Sequence, residues 1–185
     1  MRLLNILLLA TLLFLVPVPV KAETQAVVAS GTNIAKITVS VDDTSATFGT
    51  NLDPSGTDSN SIDTVLDYQG SSGNQGSYYM WSVSGVAVAV KSNKVWNGTL
   101  SATENGGTAT SMTVLSGVLK YSEGVEPNSY INCGLSTSFT TAPASWKASV
   151  AKGKYTYIHY YCLRVDWDDD PGTFSSTITY TVTQV

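Results

Sequence analysis

The stretch TFSSTITYTVTQV, residues 173–185, decides the fold. Apolar and hydroxyl side chains alternate along it, and the apolar positions are Phe174, Ile178, Tyr180 and Val182. Successive side chains of a β-strand point to opposite faces of the sheet, so a two-residue period indicates a strand. The pattern predicts a strand with one face on a core and its threonine face in water.

Similar alternating stretches recur along the chain between groups of Gly, Asn, Asp and Pro. Many short strands separated by turn residues are typical of a β-sandwich or barrel. We therefore predict an all-β fold, an antiparallel immunoglobulin-like β-sandwich of about 8–10 strands. The predicted strands lie near residues 26–29, 34–41, 45–49, 62–68, 78–91, 95–103, 112–121, 130–139, 155–166 and 173–183.

The N-terminus reads MRLLNILLLATLLFLVPVPVKAETQ, a basic start followed by an apolar run and small residues. This order is typical of a secretory signal peptide, and an uncleaved membrane anchor is the alternative. The sequence predicts a signal peptide at 1–22, an extended segment at 23–33 and one β-sandwich domain at 34–185. The mature protein is then secreted, extracellular or at the cell surface, with no membrane span after cleavage.

The net charge of the chain limits the kinds of partner that it can bind. The chain carries a formal net charge of −4, and loss of Arg2 and Lys21 with the signal peptide leaves 8 basic against 14 acidic residues, a net charge of −6. Phosphates and anionic lipids favour basic proteins. We therefore expect no nucleic acid partner and no anionic membrane surface as a partner.

The two cysteines, Cys133 and Cys162, are the whole cysteine content of the chain. Export places them in an oxidising compartment, where a pair of cysteines in a β protein most often forms a disulfide. The spacing does not fit a redox C-x-x-C motif, and two thiols are too few for a structural zinc site. We predict one structural disulfide.

An acidic bend, DWDDDPG at residues 166–172, precedes the last strand. Proline followed by glycine suits the centre of a type II turn, so Pro171 and Gly172 predict a hairpin between strands 155–166 and 173–183. Two interpretations of the carboxylates stay open, namely a solvated bend and a calcium site, since calcium prefers carboxylate and carbonyl oxygens. The candidate calcium ligands are Asp166, Asp168, Asp169 and Asp170.

No catalytic motif is present, and we expect no enzyme activity and no cofactor other than the possible calcium. The single histidine, His159, lies in the middle of a predicted strand without a nucleophile elbow, which indicates a hydrogen-bonded structural histidine. A tyrosine run at 155–161, with tryptophans elsewhere, fits either a sugar-stacking platform or core packing. Asn97 begins an N-x-[ST] sequon on the outward phase of its strand and is a candidate glycosylation site.

Two quoted stretches carry a resemblance to a known group. ITVSVDDTSATFGTNLDPSG (37–56) resembles the first strands, and LRVDWDDDPGTFSSTITYTVTQ (163–184) resembles the last hairpin, of secreted immunoglobulin-like surface domains. The pattern is similar to that of spore coat U-type pilus subunits and, more loosely, of camelysin-like filament proteins. The resemblance implies an extracellular assembly subunit, in which an extended segment of one protomer completes the sheet of the next.

The segment ETQAVVASGTN, residues 23–33, fits the donor of such an exchange because it is short and β-prone. The candidate donor residues are Ala26, Val27, Val28 and Ala29, although an ordinary first strand of the same sandwich fits equally well. We expect a structural protein of a pilus-like or other filament, associating with itself or with other surface proteins. The alternative is a calcium-dependent binding module for carbohydrate or a surface protein.

Overall fold

The computed structural model describes residues 30–49, 52–54, 64–66, 76–82 and 84–185, with the backbone alone at 64–66. The chain divides into two units, 1–34 and 35–185. In the first unit, residues 30–34 are exposed and have no regular secondary structure. The predicted signal peptide at 1–22 and the predicted donor residues at 26–29 lie outside the described residues.

The second unit is almost entirely β, as predicted. Its described residues form ten strands and one short helix: β1 (Ile37–Val41), β2 (Thr64–Leu66), β3 (Ser77–Met80), β4 (Val86–Ser92), β5 (Trp96–Glu104), β6 (Leu119–Glu123), α1 (Tyr130–Leu135), β7 (Thr137–Ser138), β8 (Ala144–Val150), β9 (Gly153–Val165) and β10 (Ser176–Gln184).

The strands form a large sheet of seven and a small sheet of three. The long strand β9 organises the large sheet: β4 and β3 pair in turn with its two halves along one edge, and β6 pairs with its other edge. β1 extends the sheet beyond β4, β2 beyond β3 and β7 beyond β6. The small sheet has the order β10-β5-β8, and every pairing in both sheets is antiparallel.

A core of aliphatic and aromatic side chains fills the space between the two sheets. The large sheet supplies Leu163 and Val86, and the small sheet supplies Leu100 and Ala102, all of them buried. Trp96 of β5 is fully buried against Tyr155 and Tyr157 of β9. The all-β class, the antiparallel pairing and the Cys133–Cys162 disulfide are confirmed, whereas the immunoglobulin-like topology stays a prediction.

Four strand predictions need correction. Residues 45–49 form no strand, and 130–139 contains the helix α1 followed by the two-residue strand β7. The predicted strand 78–91 is two strands, because Gly85 adopts a positive φ of 69° at a break between β3 and β4. In 112–121, strand structure starts only at Leu119. β8 was not predicted at all.

Local hydrogen bonds explain two of these differences. The Ser129 side chain accepts a bond from the Asn132 amide and caps α1, and the helix is tied to β9 by the disulfide. Serine is a strong N-cap residue, and this cap outweighs the strand preference of Tyr130 and Ile131. Before β6, Glu104 Oε1 accepts a bond from the Val114 amide at 2.8 Å and holds a turn there.

The predicted hairpin of the last two strands is wrong. β9 belongs to the large sheet and β10 to the small one, so the connection with the acidic bend crosses between sheets. Gly172 is not among the glycines with positive φ and so does not complete a type II turn. Its backbone lies against that of residues 108–109, and a Cβ there would come within 2.5 Å of the Ala109 nitrogen.

Candidate functional site

An open groove of about 1100 Å³ lies between the two sheets on the side of β10. The large sheet forms one wall with the inner side chains of β9, and β10 forms the other wall. The apolar residues that line it include Val41, Phe48, Leu163, Val165, Phe174 and Ile178. A groove of this size, lined by apolar side chains, can take up an extended peptide.

β10 presents its apolar face to this groove. Its burial alternates along the whole strand, with Ile178, Tyr180 and Val182 partly covered and the four threonines exposed. The predicted two-faced pattern is therefore confirmed. Its inward residues are only half-buried, in contrast to the buried Leu100 and Ala102 of the neighbouring β5, and two of them, Ile178 and Tyr180, line the groove.

The outer edge of β10 is open among the described residues, where β10 pairs with β5 alone. The Asn105 amide donates to the Ser175 carbonyl at 2.9 Å, and the Val185 amide donates to the Val95 carbonyl at 2.9 Å. Both pairs fit the β10–β5 register. Because hydrogen-bonded pairs alternate in antiparallel sheets, the amides of odd-numbered residues face β5 and those of even-numbered residues face the open edge.

A segment that we call the strap, residues 43–49, lies along the groove and forms no strand. Residues 43–47 are exposed, whereas Phe48 and Gly49 are half-buried, and Phe48 packs against the core. The sequence predicted a strand at 45–49 from the same residues. That prediction is wrong because the segment has no strand pairing in either sheet.

A polar network ties the two sheets together beside the groove. His159 of β9 is fully buried; its Nδ1 lies 2.6 Å from the Tyr180 hydroxyl of β10, and its Nε2 lies 3.2 Å from Glu123 Oε2 of β6. The same carboxylate accepts hydrogen bonds from the Trp146 indole and the Lys147 ammonium of β8. The network thus joins β6 and β9 of the large sheet to β8 and β10 of the small sheet.

Burial sets the protonation of this network. Burial lowers the pKa of His159, although the Glu123 carboxylate opposes the change. Burial also raises the pKa of Glu123, but the bonds from Lys147, Trp146 and His159 outweigh it and leave the pKa lowered. A neutral His159 then donates through Nε2 to ionised Glu123 and accepts from Tyr180 at Nδ1.

The tyrosines continue the chain of bonds to the groove. The Tyr161 hydroxyl lies 2.8 Å from the Tyr180 hydroxyl, and both residues line the groove. Burial raises the pKa of Tyr161 to about 12 and that of Tyr180 further. Both hydroxyls therefore keep their protons and act as hydrogen-bond donors. The arrangement stabilises the packing of the sheets, as the interpretation of His159 as a structural histidine predicts.

Sequence reasoning missed Glu123, Trp146 and Lys147. Glu123 is the last residue of β6, next to Gly124, and nothing in its neighbourhood marks it as a partner of a residue 36 positions away. Trp146 and Lys147 lie on β8, which the period-two pattern did not reveal. The isolated aromatic residue in APASWKAS was the one available signal.

Three of the four carboxylates of the acidic bend have partners within the protein. Asp166 pairs with Arg164 at 2.9 Å, and Asp169 accepts a bond from the Asp166 amide at 2.7 Å. Asp170 accepts from the Thr110 hydroxyl, and Asp168 is exposed. Among the described residues no group of three or more His, Cys, Asp or Glu side chains could hold a metal ion.

The remaining candidates are placed as follows. Asn97 is exposed on β5, as predicted, and its side-chain oxygen accepts a bond from the Ser149 amide at 2.7 Å. Most of the tyrosine run packs in the sandwich, where Tyr161 is buried and Tyr157 is half-buried against Trp146. Trp167, in the acidic bend, is 56% exposed and also lines the groove.

Comparisons with known proteins found no matching family model, no matching curated protein and no matching solved structure. In the part of the chain that is described, no helix is long and apolar enough to cross a membrane.

Proposed function

We propose that this protein is a secreted structural protein of the cell surface or extracellular matrix, and that it is a subunit of a pilus-like or other filament. Adjacent subunits associate by strand complementation, in which residues 26–29 of one copy enter the groove of the next. The observation that carries the proposal is the groove beside the open edge of β10.

The groove supports this function because it offers both components of strand addition. Among the described residues, the outward amides and carbonyls of β10 have no strand partner and provide backbone partners for an incoming strand, while the half-buried Ile178 and the buried Val165 border the space for its side chains. An open, unprotected edge strand pairs readily with other chains. Such an edge favours an assembly protein.

The donor segment also matches the groove in chemistry. Residues Ala26 to Ala29 are four apolar residues, which span about 13 Å as an extended strand. They carry no charge, so they can lie between the sheets without the cost of burying an ion. Alternation places Val27 or Val28 towards the core, where each adds roughly 1.5–3 kcal/mol of apolar burial.

Electron microscopy of the mature chain, residues 23–185, tests the proposal. We expect regular filaments from the wild type and none from the double variant Val27→Asp, Val28→Asp, because two buried carboxylates would disrupt the inserted strand. Thr32→Asp is the matched control, since it adds a charge to the same segment outside the apolar run. Filaments should form with this control, in calcium and in chelator alike.

Two results would contradict the proposal. Filaments from a chain lacking residues 23–30 would show that another surface joins the subunits. Monodisperse particles from the wild type in both calcium and chelator would argue against a self-assembling subunit and for a binding module.

A further inference from the structure

We propose that the strap is an autoinhibitory segment: residues 43–49 lie along the groove of the isolated subunit, with Phe48 against the core, and move away from it when a donor strand enters. The inference rests on the proposed function and adds regulation of the same site. It starts from the fact that the strap and β10 line one groove, and that Phe48 packs there against the core.

Backbone hydrogen bonds fix the start of the strap. The Asp42 amide donates to the Ala87 carbonyl at 3.1 Å, and the Ala87 amide donates to Asp42 Oδ1 at 2.8 Å. The first bond continues the backbone ladder between β1 and β4 by one residue, and the second is accepted by the Asp42 side chain. They fix the position at which the chain leaves the large sheet and turns along the groove.

A second anchor follows the strap at residues 52–54. The Tyr79 hydroxyl of β3 accepts a bond from the Asp53 amide and donates to the Asp53 carbonyl, both at 2.7 Å. The Ser77 hydroxyl donates to the Pro54 carbonyl at 3.0 Å. Tyr79 and Ser77 are buried, so this anchor is well shielded from water.

Between the anchors the strap is held weakly. Within the described part of the chain, the hydrogen bond found for its backbone is a local one, from the Ser45 amide to Asp43 Oδ1 at 3.2 Å, and its residues 43–47 are exposed. Phe48 lines the groove and is the strap side chain that packs against the core. Gly49 follows it with a φ of 126°, a conformation that L side chains rarely adopt.

The composition of the strap is consistent with its displacement by a donor strand. Ala46, Thr47 and Phe48 are compatible with a strand, yet they obtain no sheet pairing, whereas a donor strand would gain hydrogen bonds along β10. The strap is held mainly by the Phe48 side chain. A donor strand that displaces it would be held both by its side chains and by backbone hydrogen bonds to β10. The anchors set the rate of this exchange because they limit how far the strap can move.

Filament growth of the mature chain provides the first test. Tyr79→Phe removes both bonds to Asp53, and Ser77→Ala removes the bond to Pro54. We expect Tyr79→Phe to elongate filaments about five- to tenfold faster than the wild type, and Ser77→Ala about two- to fivefold faster. The matched control is Tyr155→Phe, which removes a hydroxyl bond to the Ala151 carbonyl at a residue near the start of β9 that does not line the groove. It should elongate at the wild-type rate.

Hydrogen exchange with a synthetic peptide of residues 23–33 separates the inference from the proposed function. Added to the assembly-deficient chain Val27→Asp, Val28→Asp, the peptide should protect amides of β10 and accelerate exchange in residues 43–49. Protection of both segments would overturn the inference and leave the filament function standing, because the strap would then be a wall of the binding site. Absence of both peptide binding and filaments, in the wild type and in Tyr79→Phe, would reject the proposed function itself.

Discussion

Acidification is expected to destabilise the protein through His159. The folded-state pKa of this residue lies below its ordinary value of 6.5 because of burial, so below pH 6.5 the unfolded chain binds a proton that the folded chain does not. The groups that face the ring are Glu123, Tyr180, Tyr121, Trp146 and the nearby Lys147. Stability due to His159 is therefore present above pH 6.5 and is lost as the pH falls through the lowered pKa.

The measurement is urea unfolding at several pH values between 7.5 and 5. The free energy of unfolding should fall by up to about 1.4 kcal/mol per pH unit in the wild type, and His159→Gln should remove most of this slope. Glu123 titrates later, since its pKa lies below its ordinary value of 4.5. The chain has one histidine, so its NMR signal gives the pKa directly, and a value above 6.5 would contradict the argument.

Replacing either of two glycines by alanine should change the free energy of unfolding in opposite directions. A Cβ at Gly172 would lie 2.5 Å from the Ala109 nitrogen and 2.7 Å from the Thr108 carbonyl carbon, so Gly172→Ala should cost about 1–3 kcal/mol. Gly134 lies in α1 with no atom within 4 Å of an added Cβ, so Gly134→Ala should gain about 0.5–1 kcal/mol. Thermal unfolding of both variants checks the signs. A neutral Gly172→Ala would show that the cross-sheet connection is not closely packed there.

At the scale of elements, the disulfide is the covalent link between α1 and β9. It joins residues 29 positions apart, and closing a loop of this length restricts the unfolded chain by about 3–4 kcal/mol. Replacing both cysteines by alanine should lower the free energy of unfolding by about that amount. Alkylation of the denatured wild type without reductant should label neither thiol. A loss below about 1 kcal/mol would mean that the loop is already constrained in the unfolded state.

Strands with a clear alternation of apolar and polar residues could be predicted from the sequence. Elements that depend on contacts with distant parts of the chain could not. The alternation in β5 and β10 identified both strands within a few residues, because each has one face towards the core. The helix α1 was missed because its cap and its disulfide outweigh the strand preference of Tyr130 and Ile131.

The same limit applies to the candidate site. The apolar face of β10 was predicted, whereas the groove was not, because a cavity depends on how two sheets are placed and leaves no local pattern. The strap illustrates the point, since its residues have strand character and lack a strand partner. Glu123 and His159 meet only through the pairing of β6 with β9, and neither residue's surroundings in the sequence indicate the contact.

At the scale of the whole molecule, the open edge of β10 predicts an alternating pattern of amide exchange. In the unassembled subunit, amides of odd-numbered residues such as Thr177, Thr179 and Thr181 bond to β5 and should exchange slowly. Those of Ile178 and Tyr180 face the open edge and should exchange at least tenfold faster, since an amide without a bond needs no opening of the structure.

Residue-resolved hydrogen exchange of Val27→Asp, Val28→Asp by NMR measures this pattern, and filaments of the wild type provide the comparison. Strand insertion should slow the even-numbered amides to the level of the odd-numbered ones, while the amides of β5 between Trp96 and Leu100, where β5 lies between β10 and β8, should change little. Equal, slow exchange of both sets in the unassembled subunit would mean that the edge is already covered. In that case the groove would have no backbone partners to offer an incoming strand, and association would have to rely on side chains alone.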